Sequence, residues 1–255
     1  MSFRRLAPLV LLAAATSVWA GPGDGKSPKK ILLVLTSHED MGKSGKKTGF
    51  YLSEAAHPFE VFTKAGAIVD FVSPKGGKPP IDGIDLTDPV NKAFVESPEI
   101  ARKLEQSLKP ADVDPAQYAA IFYVGGHGAM WDFPDDAKLA EIAGKMYDAG
   151  GVVAAVCHGP AGLVGVKLAN GKLLIEGKEV ACFTNDEEAQ VGTKSLVPFL
   201  LETRLTGLRA RVRKAGNFQP NVIVSERLVT GQNPASARGV AESVVALLAQ
   251  AMRKK

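Results

Sequence analysis

A cysteine followed at once by a histidine closes an apolar run, Val152-Val153-Ala154-Ala155-Val156-Cys157-His158-Gly159-Pro160-Ala161-Gly162. Val and Ala on both faces are the pattern of a strand inside a parallel sheet, and the small residues that follow open a helix. Cys157 therefore falls on a tight strand-to-helix turn, the cysteine counterpart of a nucleophile elbow. Backbone N–H groups at the start of the following helix are expected to favour thiolate over thiol. Thiolate attack on a carbonyl also needs a base, an acid that orients the base, and donors for the oxyanion. His158 supplies the base, and Glu188, on the loop after a strand expected at 179–184, would hold the imidazole tautomer. The N–H groups of His158 and of the Gly125-Gly126 turn are the oxyanion donors. Asp186 and Glu187 adjoin Glu188, so the orienting acid is one of three.

The elements that must position these residues alternate along the chain. Strands are expected at 31–36, 67–73, 119–124, 152–156, 179–184, 222–225 and 228–230, and helices at 51–65, 134–149, 161–166, 195–204 and 234–253. Such alternation predicts a mostly parallel sheet covered on both faces, with its site at the carboxyl ends of the strands. Those ends carry Ser37-His38-Glu39-Asp40, Gly125-Gly126-His127-Gly128, Cys157-His158 and Asn185-Asp186-Glu187-Glu188. His127 would line the pocket with Trp131 and Phe133, His38 and Glu39 would stand on the rim, and His57 and Pro58 would pack. Residues 74–116, rich in Pro, Asp and Lys, read as an irregular insertion folded over that rim.

Composition bounds the function. The 255 residues suit one large α/β domain. Residues 1–20 read as a signal peptide, with Arg4 and Arg5 before an apolar stretch and cleavage after Ala20, which implies an exported, periplasmic protein without stable membrane association. Residues 21–29 read as a flexible leader, leaving 30–255 as a single domain. Removing the signal takes the net charge from +4 to near neutrality. No basic stripe interleaved with aromatics points to nucleic acid. The basic residues between Arg204 and Lys214 read as a solvated helix face. The two cysteines and four histidines show no zinc-ligand spacing, and no phosphate-binding glycine loop is present, so neither metal nor cofactor is expected.

Three segments in order resemble the ThiJ/PfpI superfamily: the Cys157 run, Thr48-Gly49-Phe50-Tyr51-Leu52-Ser53-Glu54-Ala55-Ala56-His57-Pro58-Phe59, and Leu228-Val229-Thr230-Gly231-Gln232-Asn233-Pro234-Ala235-Ser236. Within it the chain is most similar to the branch of glutathione-independent glyoxalase III enzymes and heat-shock chaperones. The resemblance implies a flavodoxin-like three-layer sandwich related to class I glutamine amidotransferases, usually dimeric. It implies Cys157 as nucleophile, His158 as its neighbour, Glu188 as triad acid and Glu54 as the carboxyl beside the sulfur. Desolvation and like charge would keep a buried Glu54 protonated near neutral pH. The implied activity is conversion of methylglyoxal or a related 2-oxoaldehyde to a 2-hydroxy acid. A stress chaperone with unfolded-protein clients or a redox sensor, and an amidase, deglycase or peptidase using the same residues, are the alternatives.

Overall fold

The computed structural model describes residues 29–253. The expected signal peptide at 1–20 and the leader up to residue 28 lie outside the described residues. Among the described residues there are ten strands: β1 (Lys30–Val34), β2 (Phe50–Tyr51), β3 (Ile68–Val72), β4 (Ile81–Asp82), β5 (Tyr118–Tyr123), β6 (Val152–Val156), β7 (Glu179–Val180), β8 (Arg211–Val212), β9 (Val222–Ser225) and β10 (Leu228–Gly231). Six form one sheet in the order β3-β1-β5-β6-β10-β9. Every neighbour is parallel except β9, which returns antiparallel on β10. The short strands pair as β2 with β4 and β7 with β8.

Alternation along the central strands feeds two separate cores. Leu32, Val34, Ile121, Tyr123, Val153 and Ala155 point to one face, where α5 (Ala137–Asp148) and α7 (Leu201–Gly207) contribute Leu139, Ile142, Leu201 and Leu205. Ile31, Leu33, Ala120, Phe122, Val152 and Ala154 point to the other, against α1 (Leu52–Lys64) and α8 (Ala237–Arg253) through Leu52, Phe62, Val240 and Val244. This is the flavodoxin-like α/β sandwich with a mostly parallel sheet. Each large aliphatic side chain so buried contributes about 1.5–3 kcal/mol. Among the described residues no helix is long and apolar enough to cross a membrane.

Several expected elements differ. The segment 74–116 is not irregular: it carries α2 (Pro89–Glu96) and α3 (Pro98–Glu105), capped by Asp88 and Ser97 with Pro at the first helical position of each. Its first part reaches the rim, where Lys75 N–H donates to Ser37 Oγ at 3.0 Å and Pro80-Ile81-Asp82 pairs through β4. The helices dock beside α1, where Phe94 meets Phe59 and Phe71 edge-on. The strand expected at 179–184 stops at Val180. Beyond it, the extended chain makes single bonds, from Ala181 N–H to the Thr230 hydroxyl and from Phe183 N–H to the Cys157 carbonyl. The helix expected at 195–204 begins at Leu201, after Pro198, and the one expected at 161–166 is a 3-10 turn, Gly159–Leu163. Of the basic cluster only Arg204 lies on a helix; Arg213 pairs with Glu179, and Lys214 with Asp186 and Glu202.

Asp88 closes the insertion onto α1. One carboxylate oxygen accepts from Val90 and Asn91 N–H groups at 2.7 and 3.3 Å, and the other lies 2.8 Å from His57 Nε2. Asp88→Ala is expected to cost about 1–2 kcal/mol. The loss should appear in the denaturant midpoint and as faster amide exchange across 89–105, with the alkylation rate of Cys157 unchanged.

Candidate active site

Cys157 ends β6 with φ of 59°. A non-glycine residue in that left-handed region costs of order 1–3 kcal/mol and persists only where its surroundings over-determine it. Here the Cys157 N–H donates to the Gly231 carbonyl at 2.9 Å and its carbonyl accepts from Phe183 N–H at 2.8 Å. The bend turns the sulfur out of the sheet toward Gly125. A Cβ on Gly125 would sit 2.4 Å from Glu54 Oε2 and 2.8 Å from Cys157 Cβ, so only glycine admits the two side chains together.

Glu54, in the first turn of α1, is fully buried. Its Oε2 accepts from Gly125 N–H at 2.9 Å. Its Oε1 is buried and has no hydrogen-bond partner among the described residues. Burial pushes the carboxyl up to about 8, against the opposing hydrogen bonds from Cys157 and Gly125, so Glu54 carries a proton at neutral pH. Burial also pushes the Cys157 thiol up, an ionised Glu54 pushes it further, and the N–H groups of Gly126 and His158 pull it back. Two negative charges are disfavoured here, so a thiolate at Cys157 requires Glu54 to be protonated. This corrects the expectation of a thiolate favoured by a helix terminus. The segment after Cys157 is one short 3-10 turn, and individual N–H groups and one protonated acid take its place. Of the expected oxyanion donors, the Gly125 N–H is already committed to Glu54, leaving those of Gly126 and His158.

His158 and Glu188, expected as base and orienting acid, follow in turn from the sulfur. His158 Nδ1 is 3.3 Å from Sγ, and its Nε2 is 2.9 Å from Glu188 Oε2. Burial pushes the imidazole down to about 4, helped by His127 and opposed by the Glu188 hydrogen bond. A neutral ring that donates Nε2–H to Glu188 presents a bare Nδ1 to the sulfur. Burial raises Glu188, but hydrogen bonds from His127 and His158 outweigh it and hold the carboxyl well below the usual carboxylate range. His127 Nε2 lies 3.0 Å from Glu188 Oε1, its ring is 4.1 Å from that of His158, and the Thr193 hydroxyl donates to the same oxygen.

The three neighbouring acids separate by environment. Asp186 is exposed and pairs with Lys214. Glu187 is fully buried and forms a capping box with Thr184, which starts α6 (Asn185–Gln190) where a loop was expected. Its carboxylate also accepts from Phe218 N–H, Gln232 Nε2 and Asn233 Nδ2 at 2.7, 3.1 and 2.9 Å. Glu188 alone meets the imidazoles.

Other expected residues scatter. Trp131 stacks on His38 at 4.9 Å, Phe133 is buried in the core against Tyr123 rather than lining a pocket, and His57 pairs with Asp88. Tyr51 was not anticipated. It is half-buried over Gly83, and burial, then the charges of Glu54 and Cys157, push its phenol up, which puts it at the site. The available signal was its place beside Glu54. Cys157 is only 4 % exposed, which limits the site to small electrophiles, and both it and buried Cys182 are free thiols.

With this geometry established, comparison with known proteins adds kinship. The DJ-1/PfpI family pattern matches residues 47–247. The Saccharomyces cerevisiae protein named glutathione-independent glyoxalase HSP31 is 39% identical over 236 residues, which is 84% of this chain and 96% of that protein. Candida albicans glyoxalase 3 is 35% identical over 85% of this chain and 97% of its own length. Among solved structures, glyoxalase III from Candida albicans superposes with a TM-score of 0.81 at 34% identity, covering 86% of this chain and 97% of that one. The Francisella tularensis Rapid Encystment Protein 24 KDa gives 0.83 at 38% identity, covering 86% and 99%.

Retaining a proton on buried Glu54 that the unfolded chain releases near pH 4.5 makes stability highest below that pH and erodes it progressively as pH rises to about 8, a loss of roughly 3 kcal/mol at pH 7. Glu54→Gln, which keeps a neutral donor, should therefore raise Tm at pH 8 more than at pH 5. A pH-independent difference would exclude a protonated Glu54. Glu187→Ala strands several buried donors and is expected to cost more than about 3 kcal/mol in chemical denaturation, whereas Asp186→Ala should leave stability within about 0.5 kcal/mol.

Proposed function

Since the chain belongs to the DJ-1/PfpI family, we propose that it is a glutathione-independent glyoxalase which converts methylglyoxal, or a related 2-oxoaldehyde, to the 2-hydroxy acid through covalent catalysis at Cys157. The observation that carries this reading is the pair of proton carriers at one sulfur: protonated Glu54, and the bare Nδ1 of His158, 3.3 Å from it. A carbon held at that sulfur has a donor and an acceptor within reach, which is what moving a proton between adjacent carbons requires.

The thiolate adds to the aldehyde carbon, forming a C–S bond and a hemithioacetal. The oxygen that gains charge has the N–H groups of Gly126 and His158 as its donors. The proton on that carbon leaves to a basic group of the site and an enediol forms; reprotonation at the neighbouring carbon gives a 2-hydroxyacyl thioester. Glu54 and His158 are the carriers for these transfers. Water, deprotonated by His158, then hydrolyses the thioester and returns the sulfur. One carbon is oxidised by two electrons and its neighbour reduced by two, so methylglyoxal and water give lactic acid with no external redox partner. Glu188 keeps the His158 tautomer in register throughout.

Incubation with methylglyoxal should yield stoichiometric lactate, and Cys157→Ser should lower the rate on the order of 10³-fold or more. The value of kcat/KM should fall as pH rises through about 8, where Glu54 loses its proton. Turnover without lactate, or a Cys157→Ser enzyme with an unchanged rate, would overturn the reading.

A further inference from the structure

The orienting triad residues form a set that their spacing in the chain conceals. His127 comes from the loop after β5, His158 from the elbow and Glu188 from α6, yet one ligand atom of each lies within 4.8 Å of the others. We propose that His127 Nε2, His158 Nε2 and the Glu188 carboxylate bind a divalent transition cation, Zn2+ foremost, and that this cation switches the enzyme off. Binding stands on this geometry alone; the effect on turnover rests on the glyoxalase reading above.

Two imidazoles and one carboxylate with a fourth position open are a zinc ligand set, with metal–ligand distances of about 2.0–2.2 Å. Such distances place tetrahedral donor atoms about 3.3 Å apart. The two Nε2 atoms lie 3.0 and 2.9 Å from the Glu188 oxygens, and one ligand atom of each residue lies within 4.8 Å of the others, so the three donors can converge on one ion. The Thr193 hydroxyl, hydrogen-bonded to Glu188, supplies the outer contact that holds a ligating carboxylate. Access comes from the His127 side, whose side chain is 17% exposed while those of His158 and Glu188 are closed.

Inhibition follows from which nitrogen the cation takes. A metal on Nε2 moves the His158 proton to Nδ1, the atom that faces the sulfur. Imidazole loses no net proton in this exchange, but the acceptor for catalysis is filled, and Glu188 is withdrawn from orienting it. The sulfur lies on the Nδ1 side of the ring, away from the cation, so Cys157 is not a ligand.

The test titrates Zn2+ into the full chain carrying 15N-labelled histidine. The Nε2 resonances of His127 and His158 should shift together at one equivalent while those of His38 and His57 stay in place. Co2+ in place of Zn2+ should give the visible bands of tetrahedral coordination, retained in Cys157→Ser and lost in His127→Ala, with far-UV circular dichroism confirming that both variants fold. One equivalent of Zn2+ should reduce methylglyoxal turnover at least tenfold, restored by chelator. Unshifted His127 and His158, cobalt bands that survive His127→Ala, or a sulfur-to-cobalt charge-transfer band that disappears in Cys157→Ser would each overturn the assignment. Metal binding without loss of turnover would overturn the switch. Absence of lactate formation before any metal is added would instead count against the glyoxalase reading, with the spectra still reporting the site.

Discussion

Glu54 and Cys157 are buried side by side, and an interior of low dielectric cannot stabilise a carboxylate and a thiolate in contact. The pair therefore keeps a proton between them, and which atom carries it decides whether the sulfur is a nucleophile. With Glu54 neutral, the N–H groups of Gly126 and His158 are the donors that favour a thiolate. The same desolvation that makes each group a poor acid alone couples them into a site that holds one negative charge.

Such a site is unfavourable for the fold and has to be held from outside. Cys157 is kept in a left-handed conformation by hydrogen bonds to Gly231 and Phe183, partners that belong to β10 and to the extended chain after β7. The buried carboxylate of Glu187 ties together the start of α6, Phe218, Gln232 and Asn233, and so sets where the next residue, Glu188, can point. Two adjacent buried glutamates thus divide the work, one anchoring three segments and the other meeting the imidazoles. The rigidity of both derives from the two apolar cores on either face of the sheet.

Beside the sulfur, the His158 tautomer is the quantity under control. Glu188 accepts from both imidazoles and from Thr193, and this donor set favours its ionised form against the cost of burial. A carboxylate that gathers two Nε2 atoms to orient a base has also gathered the donors of a metal site. Orientation and coordination are then alternative uses of the same three residues, distinguished by whether a proton or a cation occupies the space between them.

Much of this was legible in the chain. Period and apolarity placed the central strands to within a residue or two, and Val-Ala strand followed by Cys-His-Gly-Pro predicted the elbow that Cys157 occupies. The caps Asp88-Pro89, Ser97-Pro98 and Thr184-x-x-Glu187 are local signals of three helices, set in polar composition that by itself suggests irregular chain or loop. Residue types and near-neighbour patterns determine backbone conformation through sterics and local hydrogen bonds, and that reach is short. Which of three consecutive acids meets His158, that Phe133 is core while Tyr51 stands at the site, and that His127 joins His158 and Glu188, only the tertiary structure decided. Burial and partner identity depend on contacts such as Gly125 with Glu54, 71 residues apart, and on which neighbours exclude water there.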